Sequence, residues 1–139
     1  MTDVEGNKAL VQRYVNEIWG RGDASRAPEF VTNDVRVHAP PFPDGNGIDA
    51  LTDVSAAFRA AMPDLVFEVD MVAGGNDQVM HHYELSGTHT GAPLFGADAS
   101  GRKLATSGIT MFRISGGRIA SAEGLLDGPG LMQQLYPPR

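Results

Sequence analysis

The spacing of hydrophobic positions changes once along this chain, from a helical period in the first half to an alternating one in the second. Leu10, Val11, Tyr14, Val15, Ile18 and Trp19 recur at helical spacing and predict an amphipathic helix. Asp3 is its candidate cap, and Gly20 and Gly22 end it. Ala24 to Phe30 fits a second, shorter helix, and Val35-Arg36-Val37-His38 a brief alternating strand. Ala39 to Gly47 holds three prolines and two glycines, which excludes regular structure. Ile48 to Met62 reads as a third helix, with Ile48, Leu51, Val54, Phe58 and Met62 on one face and Pro63 stopping it.

After Pro63 the period becomes two. Leu65, Phe67, Val69 and Met71 alternate with Glu68 and Asp70 as in a half-buried strand, and Gly74-Gly75-Asn76-Asp77 predicts a hairpin turn. Gln78 to Thr90 and Lys103 to Ile114 read as long strands joined by a glycine-rich loop from Gly91 to Gly101. Ser115-Gly116-Gly117 turns the chain into a last strand, Arg118 to Leu126, and Gly130 to Leu135 closes it as a short helix. Helices followed by a meander imply an α+β domain rather than a parallel, doubly wound one. The expected architecture is a cone: a curved antiparallel sheet with three helices on its concave face, enclosing one pocket. The outer face would still carry apolar residues, which predicts a second layer or a homodimer through the sheet.

Composition narrows the class. With 139 residues, 42 % apolar and 20 % charged, the chain fits a single globular domain over 1–139. Its formal net charge of −6, with no run of Lys and Arg, argues against nucleic acid and leaves a small apolar organic molecule as the expected ligand. No cysteine is present, so disulfides, thiol nucleophiles and thiolate metal sites are excluded. No apolar run reaches membrane-spanning length and the first residues are polar, so a cytoplasmic location is expected. No compact His/Asp cluster suggests a metal. The phosphate-loop, dinucleotide and G-x-S-x-G signatures are absent, so no cofactor is expected.

Several segments, in order and spacing, resemble the SnoaL-like polyketide cyclases of the nuclear-transport-factor-2-like superfamily. They are Asn7 to Val11, Phe58 to Leu65, Gly87-Thr88-His89-Thr90-Gly91, Phe112-Arg113-Ile114 with Gly117-Arg118-Ile119, and Leu131 to Leu135. The resemblance implies the cone fold and a reaction class of acid/base chemistry. It also implies an aspartate on the last strand, a position that here is Gly124, with Ala122 where a histidine is common. Ala122, Gly124 and Leu126 would share the cavity face, with Glu123 pointing away and Asp127 capping the last helix or acting as a second acid. Val11 to Val15 is also similar to the first helix of ketosteroid isomerases, whose two pocket acids would fall on Ala39 and Thr110. Of that set only Tyr14, the oxyanion donor, is retained; the alternative is a core tyrosine. The aspartate–arginine–aspartate set of related epoxide hydrolases cannot be assembled.

Alternation alone turns Val79, Tyr83 and Leu85 to the core and leaves His82 and Glu84 in solvent. The family register implies the opposite: Met80, His82, Glu84 and Ser86 on the cavity side, with Glu84 orienting His82 as an acid/base pair. His38 is a candidate at the cavity mouth, and His89 is expected to hold the loop from Gly91. The expected catalytic set is therefore His82, Glu84, Tyr14 and His38. Trp19, Phe30, Phe58, Met62, Ser86, Thr110, Phe112, Gly124 and Leu126 would bind substrate. The function implied is a cofactor-independent polyketide cyclase-like lyase or isomerase acting by acid/base chemistry on an apolar substrate, with a polycyclic one among the options. The alternatives are a non-catalytic binding protein with a degenerate pocket and a dimer whose cavity is vestigial.

Overall fold

A computed structural model describes residues 4–73 and 77–137. The candidate cap Asp3 and most of the turn at Gly74-Gly75-Asn76 lie outside these residues. Helix α1 (Val4–Tyr14) runs on without a break into a π-helical segment, Val15–Gly20. A short α2 (Ala27–Phe30) leads into β1 (Val31–His38). The proline-rich segment contributes only a two-residue strand, β2 (Gly45–Asn46), before α3 (Ile48–Ala61). Four strands follow: β3 (Val66–Ala73), β4 (Gln78–Thr88), β5 (Lys103–Ser115) and β6 (Arg118–Leu126), and then α4 (Gly128–Leu135).

The strands form one six-stranded sheet in the order β2-β1-β6-β5-β4-β3. The meander β3 to β6 is antiparallel as its turns require, and β2 pairs antiparallel with β1. The pairing of β1 with β6 is parallel, a departure from the wholly antiparallel expectation. It arises because the chain reaches β6 from β1 only after α3 and three further strands, so no hairpin constrains the direction.

Each helix lays its apolar stripe on the inner face. Leu10, Val11 and Tyr14 of α1, Leu51 and Phe58 of α3, and Leu131 and Leu135 of α4 are buried there with Val79, Leu85, Phe112 and Ile119 of the strands. Among the described residues no helix is long and apolar enough to cross a membrane.

The segments that carried the family resemblance meet in space. The main-chain N–H groups of Gly91 and Ala92 donate to the carbonyls of Ala61 and Ala60 at 3.0 and 2.8 Å, satisfying acceptors that the end of α3 leaves open. Asp64 accepts from the Thr88 N–H (2.7 Å) and hydroxyl (2.8 Å), which hold its carboxyl below its usual range. His89 is buried, with Nε2 3.0 Å from the Ala92 carbonyl, so it does hold the loop as its motif implied. Where β6 has ended, Gln134 of α4 bonds both the N–H and the carbonyl of Ala105 at 2.8 Å, closing the exposed edge of β5. Asp127 accepts from the Gly130 N–H at 3.1 Å and is the cap of α4.

Candidate active site

The cavity is built on rows of inward side chains. Tyr83 pairs with Gly108, and Gly108 with Leu126; His81 pairs with Thr110, and Thr110 with Gly124; Val79 pairs with Phe112, and Phe112 with Ala122. Tyr83, Leu126, His81, Thr110, Gly124, Phe112 and Ala122 of these rows, together with Tyr14 and Trp19 from the first helix and Phe58 from α3, line a cavity of about 60 Å³. Pro40 and Phe42 of the irregular segment complete its wall. Among the described residues no Asp, Glu, Lys or Arg contributes to the lining.

The π-helical segment explains two of these residues. In an α-helix, residues five apart would lie about 140° from each other around the axis. The wider i→i+5 turn brings them onto one side. Trp19 Nε1 consequently donates to the Tyr14 hydroxyl oxygen at 3.3 Å, and both rings enter the cavity. Burial pushes the Tyr14 hydroxyl up to about 12, partly opposed by the Trp19 N–H. Trp19 stacks on Phe67 (4.2 Å, 17°), and Phe67 on Tyr83 (5.1 Å, 21°). On the other side Phe42, Phe58 and Phe95 pack edge to face, with centroids 5.1 to 6.1 Å apart.

The imidazole in this aromatic box is that of His81. It is 1 % exposed, edge-on to Phe112 at 4.9 Å, and its Nδ1 is buried without a hydrogen-bond partner. Burial, and secondarily the adjacent His82, lower its pKa to about 4, so the ring is neutral at pH 7. Burial also holds the Tyr83 hydroxyl protonated, at about 12. A neutral imidazole, two un-ionised phenols and the Thr110 hydroxyl can exchange hydrogen bonds with an uncharged ligand. They offer no counter-ion to a charged one.

Several sequence-based assignments are corrected here. His82 and Glu84 lie on the outer face, where His82 faces Asp70 and Ile109, and Glu84 faces Glu68 and Ser107. The alternation argument, and not the implied family register, describes β4. It turns His81 and Tyr83 inward, and both were missed as site residues although they share the parity of Val79 and Leu85. Ser86 is exposed beside Val66 and Ala105. His38 also lies outside, exposed, with Nδ1 2.6 Å from an Asp44 carboxylate oxygen, because Val37 takes the inward position on β1. Phe30 and Met62 are buried in the core and are not among the cavity-lining residues. Tyr14, Trp19, Phe58, Thr110, Phe112, Gly124 and Leu126 stand where they were expected, on the cavity wall, and Glu123 points away.

Gly124 leaves open the place where the cyclases' acid is implied. A Cβ there would stand 3.6 Å from the Thr110 hydroxyl, 3.9 Å from Ala39 Cβ and 4.0 Å from the His38 carbonyl, all ordinary contacts. The position could therefore hold a side chain without a clash.

Comparison with known proteins agrees with this frame. Among solved structures, the SnoaL-like protein of Jannaschia sp. CCS1 superimposes with a TM-score of 0.87 at 22 % identity, covering 100 % of this chain and 98 % of that one. TsrD of Streptomyces laurentii gives 0.83 at 24 % identity, covering 97 % and 98 %. A SnoaL-like polyketide cyclase of Agrobacterium tumefaciens gives 0.73 at 18 %, covering 93 % and 97 %. No curated protein matches. These likenesses establish the cone fold. The model of the SnoaL-like polyketide cyclases matches residues 9–135, from the first helix that carries Tyr14 to the last helix that closes β5, and the chain belongs to that family.

Proposed function

We propose that this chain is a cofactor-independent, cyclase-type lyase or isomerase that moves a proton on a small, uncharged, apolar carbonyl compound held in the aromatic cavity. The observation that carries this reading is His81: a neutral, buried imidazole on the cavity wall with Nδ1 unsatisfied. Buried polar atoms left without partners are rare and call for an explanation, and a ligand's polar end supplies one. In the proposed step His81 takes a proton from the carbon next to the carbonyl, and the developing enolate oxygen accepts from the Tyr14 hydroxyl. An enolate formed beside the imidazolium offsets the burial that keeps the imidazole weakly basic. At about 60 Å³ the cavity is smaller than ordinary small-molecule sites, so binding requires its wall to give, and Phe42 of the irregular segment is the residue placed to move.

A second reading, a protein that binds such a compound without converting it, is favoured by the absence of any carboxylate from the lining. One experiment separates the two. Deuterium exchange at the α-carbon of a panel of neutral aryl β-diketones is followed by NMR. His81→Gln is expected to slow exchange about a hundredfold, and Gly124→Asp to speed it. Equal rates in wild type and His81→Gln would overturn the catalytic reading. Saturable binding with no exchange would establish the second.

We also propose a homodimer through the sheet. On the outer face Ile109 and Leu125 are cross-strand neighbours, 44 % and 71 % exposed, an apolar pair that a second copy would cover. Leu125→Glu is expected to shift sedimentation equilibrium from dimer to monomer. A monomeric wild type would refute the assembly.

A further inference from the structure

A second recess lies on the outer face of the sheet, apart from the aromatic cavity and two rows along β5 and β6 from the Ile109–Leu125 pair proposed for the dimer. It measures about 370 Å³, and Arg36, Asn46, Arg113, Ala120 and Ser121 are among its lining residues. Its floor is a break in strand register. Ile114 pairs with Ile119 and Arg113 with Ser121, so Ala120 is an extra residue on β6. Between Val31 and Arg36, β1 also shifts against β6. Bulges bend a strand and re-aim its side chains, and here two irregularities, one in the β5–β6 pairing and one in the β1–β6 pairing, meet on β6.

Pairing then sets Asn46, Arg36, Ser121, Arg113 and Gln78 in one row across five strands. Arg36 and Arg113 stand one strand to either side of Ser121, which separates their Cα atoms by roughly 10 Å. Side chains of that length can converge above the serine hydroxyl. Among the described residues neither guanidinium takes part in an ion pair, whereas Arg21 and Arg26 do. Two carboxylates also line the recess: Asp44, engaged by His38 Nδ1 at 2.6 Å, and Glu123, one row along and opposite His38.

We propose that this recess is a second binding site, taking the carboxylate or phosphate group of a small metabolite between Arg36 and Arg113. The planar fork of each guanidinium matches two oxygens of such a group, and the Ser121 hydroxyl and Asn46 amide add donors at the same row. The net charge of −6 repels anions in general, so retention depends on this local pair. The site does not depend on the chemistry assigned to the aromatic cavity, which has no charged lining residue.

The test is a titration of the whole protein with inorganic phosphate, and separately with succinate, at low ionic strength, read by amide chemical shifts. Saturable shifts confined to β1, β6 and the adjoining part of β5 are expected for at least one probe. The tighter of the two identifies the group as phosphoryl or carboxylate. Arg36→Gln/Arg113→Gln is expected to weaken binding at least tenfold. Arg118→Gln, on an exposed arginine outside the recess, is expected to leave it unchanged. Non-saturating shifts with both probes, or an equal loss with Arg118→Gln, would overturn the proposal. So would a double variant that changes the oligomeric state without anion, since the arginines would then belong to a contact between copies.

Discussion

Replacing Gly108 with alanine is expected to destabilise the protein by about 3 kcal/mol or more and to open the cavity wall at Tyr83. A Cβ on this glycine would meet the Leu125 main-chain carbonyl at 2.5 Å, and the Tyr83 Cζ at 2.6 Å and hydroxyl closer still. The Tyr83 ring lies over its cross-strand neighbour Gly108 and is stacked from the other side by Phe67, so it cannot swing away without leaving that stack. The carbonyl belongs to β6 beside it and can retreat only if the β5–β6 pairing opens. For a chain of this size the expected fall in melting temperature is about 10 °C. Gly128→Ala is the control, because nothing lies within 4 Å of its added Cβ. It should change stability by no more than about 0.5 kcal/mol. Adding Tyr83→Phe should recover only the part of the loss due to the hydroxyl. Full recovery in that double variant would show that the Leu125 carbonyl imposes no limit.

The contrast between Gly108 and Gly124 shows what the sequence could and could not reveal. Both are glycines inside strands, which marks a close approach or a gap but does not say which. Only the packed structure distinguishes Gly108, pressed under a tyrosine, from Gly124, with room for a side chain. The frame was legible because it rests on local signals: periods of 3.6 and 2, proline stops and glycine turns. The motifs at Phe58 to Leu65 and Gly87 to Gly91 were legible as family marks, and their contacts show them closing the end of α3.

Other features depend on distant partners. The parallel β1–β6 pairing and the bulge at Ala120 are set by strands far apart in sequence. The π-helical turn that brings Trp19 to Tyr14 leaves the apolar spacing unchanged, so periodicity read it as ordinary helix. On β4 the residues did carry the answer. Val79, Tyr83 and Leu85 share one parity, and His81 lies between them on the same face. The register implied by resemblance displaced that reading by one residue, which in a strand exchanges every side chain between faces.

His81 should make the fold acid-sensitive in a window set by its own titration. In the folded protein burial holds the ring's pKa near 4, while in the unfolded chain it returns to about 6.5. Between these values the unfolded state binds more protons than the folded one, so stability rises with pH across the window. Read downward, the contribution is intact above about pH 6.5, falls through the window, and is lost once pH passes about 4. A depression of this size corresponds to about 3 kcal/mol. Asp64, whose carboxyl is lowered by Thr88, is lost in the same direction but further into acid, below its unfolded value of 3.8. Urea unfolding at intervals from pH 4 to 7.5 would separate the two, with His81→Phe as the reference. The phenylalanine keeps a ring against Phe112 and has no proton to take up, so its curve should be flatter by the whole His81 increment. Parallel curves would mean that the folded imidazole titrates normally and is therefore not shut away from water. In that case the cavity would not be the dry, uncharged box that the proton-transfer step requires. A curve that flattens in wild type when a neutral ketone is bound would instead place the ligand's polar end on His81.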